Sequence, residues 1–111
     1  MLDMQPKKPC TLITALVAGG AVTGPAYYPT GNNLTFLASE VGTGAVTATV
    51  VIEVTNDVSV TTSWLTLGTI TLSGTTTAQD GFATVANWLA VRARVSAISG
   101  TSAIVTVTMG A

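Results

Sequence analysis

Residues 88–109 read WLAVRARVSAISGTSAIVTVTM, and two alternations run through them. From Trp88 to Ile98, Leu89, Val91, Ala93, Val95 and Ala97 fall on one side, with Trp88, Ala90, Arg92, Arg94 and Ser96 on the other. From Ala103 to Met109, Ala103, Val105, Val107 and Met109 alternate with Ile104, Thr106 and Thr108. A period of two marks a strand with one face in a core. Ser99-Gly100-Thr101 is turn chemistry, so the two segments are expected to pair as an antiparallel hairpin.

Further back, residues 45–55 (AVTATVVIEVT) repeat the pattern: Val46, Ala48, Val50, Ile52 and Val54 face one way, and Ala45, Thr47, Thr49, Val51, Glu53 and Thr55 the other. Shorter β-rich segments are expected at Thr11–Ala18, Leu34–Ser39 and Leu65–Leu72. Turn clusters bound them at Gly19-Gly20, Gly31-Asn32-Asn33, Gly42–Gly44 and Ser73-Gly74. Asp57–Ser63 and Thr75–Gly81 read as connections, and Gly24-Pro25 with Tyr27-Tyr28-Pro29 as an extended loop. No stretch carries a helical period with caps. Six to eight strands at this spacing predict a single-domain, all-β antiparallel sandwich or small barrel over residues 11–111. Val46, Val50, Ile52, Val91, Val95, Val105 and Val107 are its expected core. Residues 1–10, with Pro6, Lys7, Lys8 and Pro9, read as an N-terminal arm outside that core.

Composition narrows the function. The chain has 111 residues, one domain's worth, of which 8% are charged and 48% hydrophobic. About a quarter are Ser or Thr, so the surface is expected to be uncharged and hydroxyl-rich. Nine charged side chains cannot cover a small domain with its high surface-to-volume ratio, so association into a homodimer or homotrimer is expected. Four basic residues, Lys7, Lys8, Arg92 and Arg94, cannot neutralise a run of phosphates, which argues against nucleic acid as a partner. A single cysteine, Cys10, allows no internal disulfide, which fits synthesis in a cytoplasm. Lys7 and Lys8 before the apolar stretch Leu12–Val22 outline a secretory signal, but Asp3, Thr14 and Gly19-Gly20 disturb that outline. No apolar run is long enough to span a membrane as a helix.

Chemistry is nearly absent from the sequence. With no histidine, neither the usual general base nor the commonest neutral metal ligand is present. Asp3, Glu40, Glu53, Asp57 and Asp80 are scattered and lack calcium-loop spacing; a glycosidase-like pair from Glu53 and Asp57 is outweighed by a surface carboxylate and a turn former. Gly42-Thr43-Gly44 lacks the lysine and helix of a phosphate loop, and Cys10 has no base beside it. No catalytic residue, cofactor or metal ligand is therefore expected. What remains is an interface: Arg92 and Arg94 share a strand face with Trp88, and Glu53 lies on the polar face of another long strand, so a cross-strand ion pair or Arg–Trp stacking is expected. Lys7, Lys8, Trp64, Trp88, Arg92 and Arg94 are the interface candidates. Trp64, Trp88, Tyr27 and Tyr28 would alternatively offer stacking surfaces to a sugar.

The segments SWLTLGTITLSG (63–74), DGF (80–82) and NWLAVRARVSAISGTSAIVTVTMG (87–110) resemble small β-rich virion proteins of tailed bacteriophages, with a Trp-led strand and a VRARV…SGT turn. They span a little under half of the chain. The resemblance implies a capsid decoration, or cement, protein on the head surface. It would have a jelly-roll-like fold, oligomerise, and bind neighbouring copies of the major capsid protein. The alternative is a tail-fibre or spike-associated module that binds host glycan; no fibrous repeat is present to favour it.

Overall fold

The computed structural model describes residues 10–29, 33–85 and 87–110. They form strands β1 (Cys10–Leu16), β2 (Val22–Thr23), β3 (Asn33–Val41), β4 (Val46–Thr55), β5 (Leu65–Gly74), β6 (Thr77–Val85), β7 (Ala90–Ser99) and β8 (Ile104–Gly110). Sheet I has the order β1-β8-β3-β6 and sheet II the order β2-β7-β4-β5, all pairs antiparallel. The chain is thus an all-β protein with two four-stranded sheets arranged as a sandwich. Among the described residues an isolated Tyr27–Val91 bridge makes nine paired segments rather than the six to eight expected, and the one helical turn is a 3-10 turn at Val17–Gly19.

The alternation of β4 explains why it is central. Val46, Val50 and Ile52 point inward and are fully buried, as are Val91 and Val95 of β7 and Val105 and Val107 of β8. All seven expected core residues are therefore inside, packed with Leu12, Leu34, Ile70, Leu72 and Met109. Two bulges keep apolar residues pointing inward where strict alternation would not. On β1 the register slips between Thr11 and Ile13, which buries both Leu12 and Ile13. On β7 the pairing jumps from Val50–Val95 to Thr49–Ala97, leaving Ser96 as the extra residue with its hydroxyl donating to Thr49 O at 3.4 Å. The slip reverses the phase beyond it, so Ala97 is exposed and Ile98 packs on the core, opposite to a single unbroken alternation.

Three other expectations change. Segments 88–98 and 103–109 are not a hairpin: β7 lies between β2 and β4, and β8 between β1 and β3. The connection crosses from one sheet to the other, with Gly100 at φ +128° and Ser102 at φ +54°. Alternation cannot distinguish a hairpin from such an arch, because both bury the same residues; here each strand already has a neighbour on both edges. Second, Thr75–Gly81 is not only a connection, since Thr77–Val85 is the edge strand β6. Its central Ala78-Gln79-Asp80-Gly81 run has weak β preference, and the nine-residue ladder with β3 holds it in place. Phe82 of β6 turns inward against Gly68 of β5, where an added Cβ would lie 2.6 Å from the ring, and it packs 5.2 Å from Phe36. Third, the expected arm gives up Cys10, which begins β1; residues 1–9, including Lys7 and Lys8, lie outside the described residues. Leu12, Ile13 and Ala15, from the stretch that outlines a secretory signal, are core residues.

Truncating Ile52 or Val95 to Ala should destabilise the domain by roughly 2 to 4 kcal/mol, the inward register leaving little room to collapse. Urea denaturation followed by tryptophan fluorescence measures it, and parental midpoints for both variants would mean the register is wrong.

Candidate functional site

The outward face of sheet II gathers three of the six predicted interface residues, Trp64, Arg92 and Arg94. On β4, Val51, Glu53 and Thr55 point away from the core yet are buried, and the register sets Glu53 opposite Arg92 and Val51 opposite Arg94. Arg92 Nε donates to Glu53 Oε1 at 2.8 Å, and Arg94 Nε to Glu53 Oε2 at 3.4 Å. Both arginines thus share one carboxylate, and the expected cross-strand ion pair is present. The Arg92 guanidinium also lies 4.2 Å from the centroid of a tryptophan ring, but the ring is that of Trp64. Trp88 precedes β7, so the strand alternation does not extend to it, and it packs half-buried against the core.

Trp64 reaches Arg92 because the preceding loop is tied down locally. Thr55 and Ser63 share a 2.6 Å hydroxyl hydrogen bond, and Ser63 Oγ lies within donating distance of Asp57 O (2.7 Å) and Val60 O (2.8 Å). The Asp57 N–H donates to Thr55 Oγ1 at 3.0 Å. Asp57 Oδ1 accepts from the Ser59 hydroxyl (2.6 Å) and N–H (3.0 Å), which lowers its pKa below the usual carboxylate value. Leu89 N donates to Asn56 Oδ1 at 3.0 Å, joining this loop to the start of β7. The loop delivers the indole onto the Arg92 guanidinium. Glu53 and Asp57 are each engaged by separate partners, the former by the arginines and the latter by Ser59.

The two arginines hold unequal positions. Arg92 has the shorter ion pair and the aromatic ring; Arg94 has a longer contact and a more exposed side chain. One carboxylate against two guanidinium groups leaves this face with a surplus positive charge, presented by Arg94 in the row of Thr23, Val51 and Thr69.

Sequence reading missed a second feature. Glu40 is paired with Ala78 and Val105 on the inward side of β3, following Leu34, Phe36 and Ala38, and is fully buried. Neither carboxylate oxygen has a hydrogen-bond partner among the described residues. Burial pushes its carboxyl above its ordinary value of 4.5. Extending the Leu34–Phe36–Ala38 alternation by one step finds this residue; ending the strand at Ser39 hides it. A groove of about 430 Å³ lined by Ser39, Glu40, Val41, Thr77, Ala78 and Gln79 runs along the same β3–β6 ladder.

In comparisons with known proteins, no family model matches this chain, and neither a curated protein nor a solved structure does.

Arg92→Ala should cost about 2 to 3 kcal/mol in urea denaturation, because it leaves the buried Glu53 with one long contact. Arg94→Ala should cost under about 1 kcal/mol, and equal losses would refute the unequal sharing. For Glu40 the sign follows from its raised folded pKa: the native state holds the proton more tightly than the unfolded chain. Stability is then fully present below about pH 4.5 and falls as pH rises toward the raised value. Glu40→Met should therefore stabilise the protein near neutral pH by roughly 1 to 3 kcal/mol, a gain that shrinks on acidification. A gain independent of pH, measured by thermal melts between acid and neutral conditions, would exclude titration of Glu40 as its source.

Proposed function

We propose that this chain is a non-enzymatic structural protein of a phage virion, a decoration protein that coats the head surface and binds neighbouring copies of the major capsid protein. The observation that carries this reading is the strand pairing. β1 lies beside β8, β2 beside β7, β3 beside β6 and β4 beside β5, with the pairs dealt alternately to two sheets. That winding supports a jelly roll, an architecture used by viral capsid and lectin domains, and it agrees with the fold implied by the likeness of residues 63–110 to phage virion proteins. Synthesis in the host cytoplasm and deposition on the assembled head follow from the same reading.

The capsid-facing surface in this proposal is the outward face of sheet II. Trp64 and Arg92 form a rigid aromatic and cationic anchor, and Arg94 offers free donors to a capsid carboxylate. Many such contacts of modest strength, repeated over a symmetric shell, give a stable coat from weak single sites. The Trp64 ring is already stacked by Arg92, which disfavours use of that ring as a glycan platform.

Purified protein added to capsids stripped of it should cosediment at hundreds of copies per particle, on the order expected for a coat, and raise the heat resistance of the shell. Arg94→Ala, which costs the free domain under about 1 kcal/mol, should weaken binding about tenfold while leaving the melting temperature near that of the parent. No rebinding, together with retention on a glycan array, would replace the head assignment with the tail-module alternative.

A further inference from the structure

We infer that the outward face of sheet I is a self-association surface, on which a second copy of this chain docks face to face about a two-fold axis. The two sheets treat their outer faces differently. That of sheet II is partly covered by its own chain, through the 56–64 loop and the Glu53–Arg92–Arg94–Trp64 cluster. No described element covers that of sheet I. Its outward positions form registered rows: Leu16–Ile104–Val41–Thr77, then Thr14–Thr106–Ser39–Gln79, then Thr11–Thr108–Leu37–Gly81. Thr35 with Ala83, and Asn33 with Val85, complete the face. It carries no charged side chain among the described residues.

Leu16, Ile104 and Val41 stand side by side across three strands at 55%, 42% and 56% exposure, and Leu37, four residues back along β3, at 45%. Such an apolar row along one end of an uncharged sheet face, with Leu37 nearer its middle, is more than a monomer ordinarily shows to water. The chemistry of the remaining positions selects the occupant. The polar side chains in the two central strands of this face are the hydroxyls of Thr35, Ser39, Thr106 and Thr108, with the Asn33 amide, likewise donor and acceptor, at the start of β3. A hydroxyl is donor and acceptor at once, so a hydroxyl array complements its own copy, whereas a charged array repels it. An isologous contact needs that property, since each patch meets itself. The area is of the right order: strands of seven and nine residues and a four-strand width give a face of about 23 to 30 by 19 Å, roughly 500 Å² before side-chain relief. A standard interface takes about 800 Å² from each partner.

Sedimentation velocity over micromolar concentrations tests this without any capsid present, so its outcome is separate from that of the virion proposal. The parent chain should sediment as a dimer. Leu37→Lys and Ile104→Glu, both at exposed positions, should each weaken dimerisation by about a hundredfold while retaining a cooperative melt. Thr71→Lys, outward on β5 of sheet II, should leave the dimer unchanged. A parent chain that remains monomeric, or folded Leu37 and Ile104 variants that dimerise as tightly as the parent, would overturn the proposal; so would loss of the dimer in the Thr71 variant alone.

Discussion

Strand β4 is paired on both edges and covered on both faces, a constraint to which the other elements conform. Its inward row, Val46, Ala48, Val50, Ile52 and Val54, builds half of the core; its outward row buries Val51, Glu53 and Thr55. A carboxylate in that second row is tolerable only if it is paired, because an ionised group removed from water without a partner costs several kcal/mol. Arg92 and Arg94 meet this need from β7, and the register that aligns them with Glu53 and Val51 also sets Val91, Ala93 and Val95 on the core. The Ser96 bulge corrects the phase once the arginines are placed. The electrostatic and hydrophobic requirements of β4 thus act on the same neighbour through the same ladder.

Much of this was legible from alternation alone. The core valines, the burial of one face of each long strand and the Glu53–Arg ion pair all follow from a period of two. What escaped has a common cause: periodicity states which face a residue occupies and nothing about which strand lies beside it. Residues 88–98 and 103–109 have the same alternation whether they pair with one another or separate into different sheets. Trp88 was assigned to the arginine face by counting back through a strand that begins only at Ala90, whereas Trp64 reaches Arg92 through loop hydrogen bonds among Thr55, Asp57 and Ser63. Strand β6 escapes because its Ala78-Gln79-Asp80-Gly81 run reads as a turn, and Glu40 because an alternation that stops at Ser39 leaves it one position outside β3.

Charge is scarce, and its placement divides the molecule. Among the described residues, both cations lie on sheet II, where they are held by one carboxylate, while the outer face of sheet I has only hydroxyl, amide and hydrocarbon groups. An arrangement of this kind gives the two sides different rules of recognition: one answers to complementary charge and weakens with salt, the other to shape and the release of water. Glu40 sits apart from both, a carboxylate enclosed where protonation costs less than ionisation.

The pairing of β1 with β8 also bears on how the domain comes into being. Cys10 meets Met109 and Leu16 meets Ile104, so the strand made first cannot find its neighbour until residues 104–110 have been synthesised. Closing so large a span carries an entropic cost before any contact rewards it, and chains dominated by such distant pairings fold slowly. By contrast β4 and β5, separated only by the 56–64 loop, can zip together early and offer β7 an edge. During synthesis Leu12, Ile13 and Ala15 stay without their ladder, so the interval between the first strand and the last is when this chain is most open to capture by other nascent copies.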